Sequence, residues 1–109
     1  MSETVGSPLR ARTALLVIDV QRDFCPGGAL AVPGGDLVVP VVNRLILDSP
    51  ADRPLYATRD WHPADSSHFA PSGEWPSHCV AGSHGARFHP KLALPPHTRV
   101  VSKGVEPSS

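Results

Sequence analysis

Cysteine is scarce in this chain, because only Cys25 and Cys79 occur among 109 residues. Two cysteines are too few for a disulfide-stapled scaffold, and such a count is typical of a reducing compartment, so we expect a cytoplasmic protein. Neither sign of charge is in excess, since ten basic residues balance ten acidic ones. The sequence has no basic block that would attract nucleic acid or an anionic membrane, and we expect neither partner.

Long apolar runs are also missing from the sequence. No stretch approaches the roughly 20 residues that a membrane helix needs. The polar segment at 1–12 lacks the apolar core of a signal peptide, so we expect none. A length of 109 residues corresponds to about one small domain. Proline and glycine are plentiful, with 13 and 9 residues, and their clustering at 25–35 and 61–96 predicts long loops.

Three segments have the composition of β-strands. Residues 13–20, TALLVIDV, form a continuous apolar and β-branched run, which is typical of a strand buried on both faces of a parallel sheet. Residues 54–60, PLYATRD, and 98–104, TRVVSKG, are the other two candidates. The long segment between them has no persistent apolar period and is predicted to be a loop.

One segment has the pattern of a helix. Residues 37–48 carry apolar side chains at helical spacing, with Asp36 as a candidate N-cap and Pro40 tolerated in the first turn. The order strand, helix, strand, loop, strand predicts an open α/β sheet. In such sheets ligands bind beyond the carboxyl ends of the strands, so those ends are where a site is expected.

Three charged residues lie at the carboxyl ends of the predicted strands: Asp19, Asp60 and Lys103. On position alone, Asp19 is equally well explained as a carboxylate that caps nearby backbone N–H groups. Lys103 is more simply explained as a solvated strand terminus. The alternative is that a carboxylate and a lysine meet in a cleft, as proton acceptor and electrostatic partner of a nucleophile.

Histidines cluster after the second predicted strand. Asp60 and His62 are two residues apart and share one side of an extended segment, while His68 and His78 can return to the same centre through the loop. Three imidazoles and one carboxylate suit Zn²⁺, Mn²⁺ or Fe²⁺ rather than Ca²⁺. The competing interpretation is a surface loop in which some of the six histidines cluster by chance, because the spacing matches no standard motif.

Five motifs together carry a family resemblance: ALLVIDVQRDFCPGGALAVPGGD, ATRDWHPADSSHF, EWPSHCV, GARFHP and VSKG. In this order and spacing they resemble the nicotinamidase (pyrazinamidase) branch of the isochorismatase-like cysteine hydrolases, over about residues 12–105. The resemblance implies a Rossmann-like α/β fold with a mostly parallel sheet. It also implies metal-dependent hydrolysis of nicotinamide to nicotinate and ammonia in NAD salvage, with pyrazinamide as a substrate analogue, and it is compatible with a homo-oligomer.

The same resemblance implies roles for individual residues. Asp19 would be the general base, and Lys103 would be its partner in a catalytic triad. Phe24 and Trp75 would line the substrate pocket, where aromatic rings suit a flat substrate ring. One Zn²⁺, Fe²⁺ or Mn²⁺ ion would have four ligands: Asp60, His62, His68 and His78.

The nucleophile departs from the family pattern. The family's catalytic cysteine follows a later strand beyond the Lys-Gly segment, and neither Cys25 nor Cys79 matches it. We therefore predict that residues 1–109 are the N-terminal part of a single isochorismatase-like domain, inactive alone, with 61–97 as a long metal-binding loop region. One alternative is an isochorismatase or carbamoyl-group hydrolase, which generally lacks the Asp-x-His…His…His pattern. The other is a non-catalytic metal-binding fragment.

Overall fold

A computed structural model describes residues 12–108 of the chain. Its helix and three strands are β1 (Leu15–Ile18), α1 (Val38–Leu47), β2 (Leu55–Asp60) and β3 (Arg99–Lys103). Short 3₁₀ turns lie at Arg22–Phe24 and Gly35–Leu37. Each of the four predicted elements is present, with bounds that differ from the prediction by two residues at most.

The three strands form one parallel sheet with β2 in the centre. The register pairs Val17 with Ala57, and Ala57 with Val100. Because all strands run in one direction, their carboxyl ends meet at one edge of the sheet. The open α/β architecture expected from the element order is therefore confirmed.

Helix α1 covers one face of the sheet. The core consists of Val17, Leu55 and Ala57 from the strands, together with Val39 of α1, all at most 4% exposed, and with Val20. The helix also brings Val42 and Ile46 to this core as partly buried neighbours. Burying such a stripe against a sheet is the main source of stability for a helix of this length.

The prediction that Asp36 is the N-cap of this helix is wrong. Asp36 lies inside the 3₁₀ turn and makes no capping hydrogen bond, and the residue in the N-cap position is Leu37. An N-cap side chain acts from an extended backbone. Leu37 already has helical φ and ψ angles of −66° and −15°, because the 3₁₀ turn leads directly into α1. Because the 3₁₀ turn continues into α1, Asp36 does not have the extended backbone that an N-cap residue needs.

The prediction that the first strand is buried on both faces is also wrong in this structure. Side chains alternate along a strand, and Leu16 and Ile18 are 56% and 62% exposed on the face away from α1. Val101, which is aligned with Ile18 through Thr58, is 45% exposed. We call Leu16, Ile18 and Val101 the open face, because no layer of residues 12–108 covers them.

The segment between β2 and β3 is held by loop hydrogen bonds rather than by helices or strands of its own. The backbone N–H of His62 donates to the carbonyl of Cys79 at 2.9 Å, and that of Ala81 donates to the carbonyl of His62 at 2.8 Å. This short parallel bridge brings the middle of the loop beside the end of β2. Within the described residues, no helix is long and apolar enough to cross a membrane.

Candidate active site

Three of the predicted metal ligands lie together at the carboxyl end of β2. Asp60, His62 and His78 each offer one ligand atom, and these atoms lie within 4.8 Å of one another. Asp60 ends β2 and His62 follows it by two residues, while the loop bridge returns His78 to them. We call these three residues the metal group. Both imidazoles are buried, at 8% and 6% exposure.

Hydrogen bonds to backbone carbonyls orient both imidazoles. Nδ1 of His62 donates to the carbonyl of Gly104 at 2.9 Å, and Nδ1 of His78 donates to that of Pro76 at 2.8 Å. These bonds select the tautomer in which Nε2 keeps its lone pair. Nε2 of His62 lies 3.5 Å from Oδ2 of Asp60. Two such nitrogens and one carboxylate oxygen fit a divalent ion of the zinc, iron or manganese type.

His68 lies outside the metal group. Its side chain is exposed, its N–H donates to Oγ of Ser66 at 3.3 Å, and its carbonyl accepts from Trp75 at 3.0 Å. A side chain on Gly73 would overlap the backbone of His68, so this turn is packed tightly. The turn holds the His68 backbone in place without bringing its imidazole to the metal group. His68 therefore stays a prediction as the fourth ligand.

Gly104→Ala tests the orientation of His62. Gly104 has φ +66°, and an added Cβ would lie 2.5 Å from Cε1 of His62. We expect Zn²⁺ to bind about 10–100-fold more weakly to this variant, which is typical when a ligand loses its supporting contact. Gly82→Ala is the matched control, because Gly82 has φ +78° but no atom within 4 Å of its added Cβ. Both variants carry a left-handed backbone cost of about 1–2 kcal/mol, so equal Zn²⁺ affinities in competition titrations would contradict the prediction.

The predicted catalytic pair, Asp19 and Lys103, is in direct contact. Nζ of Lys103 donates to Oδ2 of Asp19 at 2.8 Å and to Oδ1 of Asp60 at 2.5 Å. Oγ1 of Thr58 donates to the other oxygen of Asp19 at 2.8 Å. Asp19 has φ 56°, a left-handed conformation that is rare outside glycine. This conformation lets its carboxylate join Thr58, whereas regular alternation would point it to the opposite face.

Lys103 carries a stable positive charge between the two carboxylates. Burial lowers the pKa of Lys103, but hydrogen bonds to Asp19 and Asp60 and the charges of both outweigh it, so its pKa lies above the ordinary lysine value. The ammonium is therefore protonated at neutral pH. Through Asp60, which also faces His62, this ammonium links the predicted base to the metal group.

Neither cysteine is an activated nucleophile in this structure. Cys79 is fully buried, and burial followed by the negative charge of Asp23 raises its pKa to about 12. Burial and then the charge of Asp36 raise the pKa of Cys25 as well. Reactive cysteines need a lowered pKa and access to substrate. The backbone N–H of Cys79 donates to Oδ2 of Asp23 at 2.8 Å, which indicates a structural role for this residue beside His78.

The aromatic residues around the metal group are only partly those that the sequence suggested. The ring of Phe24 lies 5.8 Å from that of His78, whereas Trp75 is 48% exposed on the tight turn beyond. Sequence reasoning missed Phe69, whose buried ring lies 5.6 Å from His62 and 5.3 Å from His78. An apolar ring directly after a histidine in a polar loop was the available signal.

Comparison with known proteins identifies the class. The family model for the isochorismatase domain matches residues 13–107, so this chain belongs to that family. The resemblance and the fold expected from the five motifs are thereby confirmed.

Among curated relatives, the nicotinamidase of Escherichia coli (strain K12) is 42% identical over 111 residues, which are 86% of this chain and 52% of that protein. A solved pyrazinamidase of Pyrococcus horikoshii in complex with zinc has a TM-score of 0.82 and 45% identity, covering 88% of this chain and 54% of that one. PnC1 from L. infantum in complex with nicotinate has a TM-score of 0.73 and 36% identity, covering 87% and 48%. The chain thus spans about half the length of the curated relatives it matches.

Proposed function

We propose that this chain supplies the metal site and two members of the catalytic triad of a nicotinamidase, which hydrolyses nicotinamide to nicotinate and ammonia. The observation that carries the proposal is the double contact of Lys103. One ammonium touches both Asp19 and Asp60, so a candidate base and a candidate metal ligand share one charge network. The named activities of the relatives in Escherichia coli and Pyrococcus horikoshii support the same conclusion.

Asp19 would be the general base of this reaction. Its carboxylate would take the proton of a thiol, and the thiolate would attack the carboxamide carbon. The same proton would pass to the leaving ammonia, and water would then hydrolyse the thioester with Asp19 again as base. Lys103 would stabilise the negative charge of the thiolate. Neither Cys25 nor Cys79 fits the nucleophile, so we do not assign that thiol to this chain.

The metal group would hold Zn²⁺, with His68 as the proposed fourth ligand. We favour zinc over iron or manganese because the similar pyrazinamidase is in complex with zinc. A bound ion would supply a Lewis acid that faces the ring nitrogen of a pyridine or pyrazine carboxamide. Phe24 and Trp75 would border the flat ring of that substrate, a contact that suits aromatic side chains.

Ligand binding tests this proposal without requiring turnover. With Zn²⁺ bound, we expect the chain to prefer nicotinamide over benzamide, which has the same shape but no ring nitrogen. A preference of about tenfold corresponds to one net polar interaction of about 1.4 kcal/mol. The measurement is isothermal titration of both ligands, with His62→Ala as the variant in which the preference should vanish. Equal affinities in the Zn²⁺-loaded chain would refute a pyridine-carboxamide site.

A second candidate function is metal binding without catalysis. The buried and poorly acidic thiols of Cys25 and Cys79 favour it, because they leave this chain without an activated nucleophile. This alternative gains support if the chain binds Zn²⁺ through the metal group but binds nicotinamide and benzamide equally well. The same titration therefore separates the two candidates.

A further inference from the structure

The side chain of Gln21 is fully buried and makes three hydrogen bonds to backbone groups far along the chain. Its Nε2 donates to the carbonyl of Asp60 at 2.8 Å and to that of Ala86 at 2.9 Å. Its Oε1 accepts from the backbone N–H of Asp60 at 2.9 Å. One primary amide thus holds both backbone groups of Asp60, on the side that faces β1.

Asp60 needs this partner because the ladder between β1 and β2 breaks at Asp19. The last regular bond runs from the N–H of Asp19 to the carbonyl of Thr58 at 3.1 Å. In a parallel ladder the next bond would join the N–H of Asp60 to the carbonyl of Asp19. Asp19 leaves the extended conformation at φ 56°, and the amide of Gln21 takes this N–H instead.

The backbone groups on either side of Gln21 form hydrogen bonds with residues 87–89 rather than with β2. The N–H of Arg22 donates to the carbonyl of Arg87 at 2.8 Å, and the N–H of His89 donates to that of Val20 at 2.9 Å. The chain therefore leaves β2 after Asp19 and pairs with a distant segment. The Gln21 side chain continues the contact between this segment and the end of β2.

The carboxylate of Asp60 is the group that this arrangement orients. Its Oδ1 accepts from Lys103, and its Oδ2 lies 3.5 Å from Nε2 of His62. A rotation of the Asp60 backbone would move both oxygens together. We propose that Gln21 is a positioning residue, which fixes the Asp60 carboxylate between Lys103 and the metal group. This inference rests on the proposed metal site and adds a residue whose three hydrogen bonds all go to backbone groups.

Gln21→Met is the decisive variant, because methionine has a similar volume and cannot form any of the three bonds. We expect its Zn²⁺ affinity, measured by chelator competition, to fall about 10–100-fold, as for other lost supporting contacts of a ligand. With Co²⁺ as the probe, we expect its visible absorption bands to shift relative to the unsubstituted chain. A loss of stability alone would not move those bands in the folded protein.

Asn43→Leu is the matched control. Asn43 belongs to α1 and lies outside the metal group, and its amide also holds two backbone groups: it donates to the carbonyl of Lys91 and accepts from the N–H of Ala93, both at 2.8 Å. We expect its Zn²⁺ affinity and Co²⁺ bands to match those of the unsubstituted chain. Equal affinities and bands in Gln21→Met and Asn43→Leu would overturn the inference.

Two further variants complete this test. If circular dichroism shows that Gln21→Met is unfolded, Gln21→Glu takes its place, because it keeps the acceptor for Asp60 but loses both donated bonds. We then expect a shift of the Co²⁺ bands, and unchanged bands would overturn the inference. His62→Ala identifies a failure of the metal site itself, since Zn²⁺ affinity equal to that of the unsubstituted chain would refute the site that Gln21 is proposed to support.

Discussion

The 109-residue chain, loaded with Zn²⁺, is expected to release no ammonia from nicotinamide at an enzymatic rate. The reaction needs a thiolate beside Asp19, and the structure provides none. Burial and the charge of Asp23 raise the pKa of Cys79 to about 12, so this thiol stays protonated at neutral pH. Cys25 is buried in a turn with its pKa also raised, because burial and Asp36 both disfavour its thiolate.

The matched controls for this assay are Cys25→Ala and Cys79→Ala. Triad deletions in other hydrolases leave a residual rate of roughly 10³–10⁴-fold over water, which comes from the oxyanion hole and substrate binding. We expect less here, because no oxyanion donors are assigned to this chain. Robust turnover that either substitution abolishes would show that the nucleophile has been misassigned.

A fusion provides the positive arm of the same experiment. This chain matches 52% of the Escherichia coli nicotinamidase, so the other half of that enzyme can be joined to it. The open face of Leu16, Ile18 and Val101 offers that half an apolar surface to cover. We expect the fusion to hydrolyse nicotinamide and the same fusion with Asp19→Asn to be inactive, which would locate the base in this chain. An active Asp19→Asn fusion would refute that assignment.

The helix and strands of this fold could be predicted from the sequence, because their apolar patterns are local and periodic. The run at 13–20 predicts a strand and the helical stripe at 37–48 predicts a helix, and both elements are present. The exposure of Leu16 and Ile18 is not local, because it depends on what covers the second face of the sheet. The apolar pattern correctly predicted a strand, but it could not predict whether a second layer covers the other face of the sheet.

The site was predictable to the extent that its chemistry lies at strand ends. Asp60 and Lys103 were both predicted at the carboxyl ends of strands, and the register of β2 and β3 aligns them directly. The role of Gln21 was not predictable, because its amide acts on a backbone 39 residues away. The left-handed backbone of Asp19 was equally unpredictable, because most aspartates do not adopt this conformation and nothing in the sequence marks the ones that do.

Removal of one imidazole from the metal group is expected to have the second large effect. His62→Ala and His78→Ala each delete a buried nitrogen whose orientation is fixed by a carbonyl, leaving one imidazole and the carboxylate of Asp60. Loss of supporting contacts alone weakens metal binding about 10–100-fold, so loss of a ligand should weaken it further. The measurement is Zn²⁺ content after dialysis, by elemental analysis, together with competition titration.

His97→Ala is the control for these variants, because His97 is exposed and lies outside the metal group. We expect it to retain the metal content of the unsubstituted chain, and equal content in His62→Ala would refute the assigned site.

His68→Ala then decides the fourth ligand. Because the His68 imidazole is exposed and must move to reach the metal group, we expect a loss of affinity smaller than that of His62→Ala but clearly larger than that of His97→Ala. If His68→Ala bound Zn²⁺ as tightly as His97→Ala, His68 would not be a ligand. The ligands supplied by this chain would then be Asp60, His62 and His78.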